Sequence, residues 1–153
     1  MLDIDTRVLD PSVQSLLSHS IGFPTAVKLE MVCRQFQSES NWMLRGYELD
    51  SDIVGCIGVE IFQPGRATVR HIAVMLERRH QGIGRSMLRQ LSNELKLEWL
   101  IAETDSDALG FYQQCGFDVE SLGELYPGVE RFRCTLRLRA TQLRRRWILA
   151  VSV

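Results

Sequence analysis

Between residues 42 and 75 the chain reads as three strands joined by turns short enough to be hairpins. Residues 42–49 run to the turn Asp50-Ser51-Asp52, residues 53–62 come next, and Pro64-Gly65 leads into 67–75. Consecutive strands on such short connections pair antiparallel, so this part of the fold is a meander. From residue 84 onwards helices and strands alternate instead. Residues 84–97 place Met87, Leu88, Leu91 and Leu95 on one helical face, and 97–102 is an apolar run of strand length. Residues 106–115 read as a helix stopped by Gly116, with strands at 117–122 and 131–138 after it. A meander succeeded by alternating strands and helices predicts an α/β domain: a mixed, mostly antiparallel central sheet with helices on both faces. Ahead of the meander, Asp10-Pro11-Ser12 opens a short helix. Thr25 caps a second, in which Leu29, Val32, Cys33 and Phe36 recur at helical spacing.

At 153 residues the chain has room for one domain. We expect it to occupy 1–139, leaving a basic and apolar tail at 140–153 that includes Arg144-Arg145-Arg146-Trp147. Lys and Arg number 18 against 19 Asp and Glu, too even a balance to drive binding to nucleic acid. The start, residues 1–7, lacks the basic-then-apolar order of a signal peptide, and no apolar run is of membrane-spanning length. A cytoplasmic protein with reduced, buried thiols at Cys33, Cys56, Cys115 and Cys134 is the expectation. These cysteines and His19, His71 and His80 are scattered, so no metal site is expected.

The most informative loop is Arg79-His80-Gln81-Gly82-Ile83-Gly84-Arg85-Ser86, between a strand and a helix. Free N–H groups at a helix start, with the positive end of the helix dipole, favour an anion. Glycines let a backbone approach closely, and Arg78, Arg79 and Arg85 add charge. The loop is not a nucleotide-binding Gly-Lys-Ser/Thr loop, because Arg85-Ser86 comes after Gly84. Nor is it a dinucleotide fingerprint, which would need a third glycine at Met87. A Gly-x-Gly pair alone is equally a tight structural turn.

The string Arg79-x-x-Gly82-x-Gly84 resembles the acyl-CoA pyrophosphate loop of the GCN5-related N-acetyltransferase (GNAT) superfamily. The preceding Val69-Arg70-His71-Ile72-Ala73-Val74 is similar to that family's central strand. Asp107-Ala108-Leu109-Gly110-Phe111-Tyr112-Gln113-Gln114-Cys115-Gly116-Phe117 resembles its later helix. Asp105 stands where the family often has Asn, and a carboxylate accepts hydrogen bonds without donating them.

The resemblance implies acetyl transfer from acetyl-CoA to a primary amine of a small molecule or protein, by direct attack in a ternary complex and without a metal. It implies that Ile72, Ala73 and Val74 offer main-chain groups to pantetheine, that the Val74 N–H polarises the thioester carbonyl, and that residues 79–86 hold the pyrophosphate. Tyr112 then matches the family's acid. A phenol titrates about 1.5 pH units above a thiol, so Tyr112 acts as a hydrogen-bond donor, or through a lowered pKa. For the base, Glu103 comes first, at the end of the apolar run 100–102, with Glu60 and His71 as alternatives. Tyr126, Glu130 and Arg131, with the first two helices, are expected to flank the acceptor. A homodimer is left open. Two other classes stand beside the enzyme: a non-catalytic acyl-CoA-binding regulatory module, and an interaction protein using the Arg-rich end 131–146. Against the last, Arg133, Arg137 and Arg139 alternate as one solvated strand face does.

Overall fold

The computed structural model describes residues 1–138; the tail expected at 140–153 lies outside them. One seven-stranded sheet has the order β1-β2-β3-β4-β5-β7-β6. Its strands are β1 (Leu2–Asp3), β2 (Trp42–Leu49), β3 (Asp52–Gln63), β4 (Arg66–Val74), β5 (Trp99–Thr104), β6 (Asp118–Tyr126) and β7 (Val129–Arg137). The helices are α1 (Pro11–Ser18), α2 (Ala26–Ser38), α3 (Ile83–Glu94) and α4 (Ser106–Gln114). β4 and β5 are parallel and every other neighbouring pair is antiparallel, as a mixed sheet built on a meander requires.

Each sheet face buries its own apolar cluster. Ile83, Met87, Leu88 and Leu91 of α3 and Tyr112 of α4 pack on Val59, Ala67, Leu100, Ala102 and Leu136. On the other face Val13, Leu16 and Leu17 of α1 and Cys33 and Phe36 of α2 cover Leu44, Cys56 and Ala73. All four cysteines are buried and none forms a disulfide. Among the described residues no helix is long and apolar enough to cross a membrane.

At Gly58 the Phe36 ring of α2 packs directly against the sheet. A Cβ there would stand 2.3 Å from Cζ of Phe36, so the ring occupies the volume a side chain would need. The same place carries an irregularity in pairing. Gly58 opposes His71 while Val59 opposes Val69, leaving Arg70 as the extra residue of a bulge in β4. A bulge shifts the alternation of side chains. Arg70 and His71 therefore both turn to the α1/α2 face, where Arg70 meets Glu60 and Trp42 and His71 meets Ser20 and Phe36.

The N-terminal residues have a structural role. β1 pairs with β2, and Asp3, Asp5 and Glu94 surround the buried guanidinium of Arg45. A buried cation needs such partners, and three carboxylates supply them.

Candidate active site

β4 and β5 pair only from Arg66 opposite Trp99 to Val69 opposite Ala102. Both strands continue past that point, β4 to Val74 and β5 to Thr104, without pairing to each other. The sheet is therefore split at its centre, with main-chain edges facing into the gap. Met75 N–H donates to Val54 O on the β3 side. Strand alternation then turns the amides and carbonyls of Val74 and Ile72 towards the gap. Consistent with this, the Val74 carbonyl accepts from Arg79 Nε at 3.1 Å. Ala73 lies between them with its backbone directed at β3 and its side chain in the α1/α2 core, so it is not on the open edge.

At the end of β4 the chain passes a 3-10 turn at Leu76–Arg78 and reaches α3 through the expected loop. His80 and Gly82 both have positive φ, 60° and 77°. Gly82 is the N-cap residue of α3, and among the described residues no side chain caps that end. The first-turn N–H groups of Ile83 and Gly84 point out of the helix start, where the helix dipole favours an anion. Gly84 also has a packing reason to lack a side chain: a Cβ would lie 2.9 Å from Cε2 of Phe111. Gln81 reaches the Glu77 carbonyl at 3.3 Å, Arg85 the Gln114 carbonyl at 3.0 Å, and Ser86 Oγ accepts from Gln90 at 3.0 Å. These contacts hold the loop in shape from both flanks.

Pantetheine diphosphate fits what this chain presents: an unpaired strand edge leads to an uncapped helix start. Asp105 has a local task instead. It is the N-cap residue of α4, accepting from Asp107 N–H at 3.0 Å.

The acid and base candidates lie on opposite faces. Tyr112 is 5% exposed, edge-on to Phe111 and Phe117 in the cluster under α3 and α4. Burial, then the neighbouring Cys134 and Cys115, pushes its pKa well above that of a free phenol. A lowered pKa, one of the two expectations for Tyr112, is thus contradicted, because apolar surroundings penalise the phenolate. Glu103 is exposed and comes directly after Ala102 on β5, so it points to the α1/α2 face. Its Oε1 accepts from Arg133 Nη2 at 3.1 Å. Glu60 pairs with Arg70 and also meets Asn41 Nδ2 at 3.4 Å. His71 is held by Ser20, with Nδ1 2.9 Å from Oγ, and burial, then Arg70, pushes its pKa down to about 4. Its contacts are those of a packed strand histidine.

Tyr126, Glu130 and Arg131 belong to the β6–β7 hairpin, which turns tightly at Pro127-Gly128. Arg70 and Arg133, the partners of two candidate bases, escape a reading of the sequence as site residues. Their only sequence signal is alternation along their strands.

Residues 43–119 match the family model described as an acetyltransferase (GNAT) domain. An "uncharacterized N-acetyltransferase in lysA 3′ region" of Bacillus methanolicus is 32% identical over 109 residues, covering 71% of this chain and 89% of that one. A putative acetyltransferase of the GNAT family from Desulfovibrio desulfuricans superposes with a TM-score of 0.66 at 24% identity, over 83% of this chain and 93% of the other. A GNAT family acetyltransferase from Elizabethkingia anophelis, solved with acetyl-CoA bound, gives 0.60 at 19% identity, over 81% and 89%. The split sheet, the uncapped helix behind it and these likenesses agree: the chain belongs to the GNAT family of acetyltransferases.

Proposed function

We propose that this protein transfers an acetyl group from acetyl-CoA to a primary amine by direct attack within a ternary complex. The observation that carries this reading is the split between β4 and β5, which opens towards the uncapped start of α3. When bound, acetyl-CoA supplies the acetyl group as an activated thioester. The N–H groups of Ile83 and Gly84 hold diphosphate, while the edge of Ile72 and Val74 receives pantetheine as an added strand. The Val74 N–H donates to the carbonyl oxygen where negative charge develops. Glu103 takes the proton that an ammonium acceptor must lose before its nitrogen can attack. Tyr112, as a neutral phenol, donates a hydrogen bond to the departing sulfur.

The test is thermal unfolding with acetyl-CoA, CoA and ATP, and then thiol release with amines. Ligand at about a hundred times its dissociation constant adds roughly 2.7 kcal/mol, a rise of several degrees for a domain of this size. Stabilisation by both CoA species and not by ATP, with amine-dependent thiol release, is expected. No shift with either would sink the cofactor site. A shift without turnover of any amine would favour a regulatory acyl-CoA-binding module.

A further inference from the structure

Four charged side chains form an alternating row across the split, on the face that α1 and α2 cover in part. Glu60 stands on β3, Arg70 on β4, Glu103 on β5 and Arg133 on β7. Arg70 and Glu103 are the first residues beyond the last paired positions, Val69 and Ala102, so they flank the mouth of the gap. They have opposite charges, yet no ion pair joins them among the described residues. Each is drawn outward instead. Arg70 gives Nε and Nη2 to Oε2 of Glu60 and lies over the Trp42 ring, 5.8 Å from its centroid. Glu103 offers only Oε1 to Arg133. Among the described residues, Nη1 of Arg70 and Oε2 of Glu103 make no hydrogen bond. The mouth thus presents one cationic donor and one anionic acceptor, each steadied from behind by a counter-charge.

We propose that the acceptor is a zwitterion of the free amino-acid class, a primary amine with a carboxylate a few bonds away. This rests on the acetyltransferase reading above and names the substrate class of the same site. The ammonium meets Glu103 and the carboxylate meets Arg70. A fork of N–H donors matches a carboxylate in a way that a lone ammonium does not, which suits Arg to this position. In the reaction the ammonium gives one proton to Glu103. Its nitrogen lone pair forms the C–N bond to the acetyl carbon as the C–S bond breaks, and the second proton leaves nitrogen while sulfur is protonated. The product keeps its carboxylate and loses its positive charge, so the charge attraction that held the ammonium to Glu103 is gone.

Thiol release is measured with acetyl-CoA and three matched sets: the free amino acids other than proline and cysteine, their carboxamides, and the amines that lack the carboxyl group. One or more amino acids are expected to exceed their carboxamides in kcat/KM by tenfold or more, the scale of a charge-assisted hydrogen bond. In Arg70→Gln that ratio falls towards one, a readout that loss of stability alone does not move. The wild-type ratios decide the matter even if the variant fails to fold. Equal or better turnover of the carboxamides or carboxyl-free amines overturns the proposal and leaves the acetyltransferase standing. So does acetyl-CoA binding with no amino acid turned over. Failure to bind acetyl-CoA sinks the underlying reading as well.

Discussion

Replacing Gly58 with Ala tests whether the closeness of α2 to the sheet is what shapes the acceptor face. The added Cβ would stand 2.3 Å from Cζ and 2.9 Å from Cε1 of Phe36, where ordinary contacts lie at 3.4 Å or more. The ring has little room to retreat. Phe36 is buried, edge-on to Trp42 at 5.2 Å between centroids, and 5.9 Å from the His71 ring. Overpacking of this kind costs about 1–3 kcal/mol. Against it stands a gain of about 0.5–1 kcal/mol from removing a glycine within a strand. The two ranges net to about 0–2.5 kcal/mol, and the 2.3 Å approach places Gly58→Ala in the upper part, a loss of about 1–2 kcal/mol or a fall in Tm of about 2–8 °C. Chemical denaturation of Gly58→Ala, Phe36→Leu and the double variant measures it. The smaller side chain makes room, so the double variant should be more stable than the sum of the single changes by about 1 kcal/mol. A neutral or stabilising Gly58→Ala, with no coupling to position 36, would refute the packing argument.

Tyr112→Phe should reduce turnover about a hundredfold or more while leaving acetyl-CoA affinity and stability close to wild type. Its hydroxyl makes no hydrogen bond among the described residues, so its removal leaves no partner stranded. Thiol-release kinetics beside a denaturation curve would separate that from a packing role, which would appear as lost stability. For pH, His71 is neutral when folded, with a pKa of about 4 against an unperturbed 6.5. Between those values the unfolded chain binds more protons, so its contribution is full above pH 6.5 and is lost as pH falls through 4. That contribution is at most about 3 kcal/mol. Stability measured from pH 7 to 4 should decline less in His71→Asn; an equal slope in both proteins would contradict the burial argument.

Much of the scaffold is legible because local rules and tertiary demands agree. The Thr25 cap, the period of Leu29, Cys33 and Phe36, and the turns at Asp50-Ser51 and Pro64-Gly65 lie where the sequence predicts them. Ends of elements drift where burial stops guiding them. α3 ends at Glu94 rather than reaching 97, because Leu97 is buried in the connection to β5. β5 extends past Ala102 to Thr104, so Glu103 lies within the strand. β6 and β7 are longer than 117–122 and 131–138 suggest. Their mostly exposed residues at the turn end are held by backbone pairing, which leaves no apolar period to read. The loop at 79–86 could be located because its glycines and arginines are adjacent in sequence. The pairs Glu60–Arg70 and Glu103–Arg133 could not, since strand register and the bulge at Arg70 bring them together across 10 and 30 residues.

Among the described residues, the four paired positions between β4 and β5 are also the only strand ladder that joins the two parts of the sheet. On one side lie β1 to β4, on the other β5, β7 and β6. Mechanically the domain is two stiff plates on a short seam, with α3 and its core bridging one face. A ligand that inserts as an added strand bonds to the plate edges and lengthens the seam. Occupancy then becomes a structural element in its own right, and local opening in β5 and β7 is coupled to whether the gap is filled.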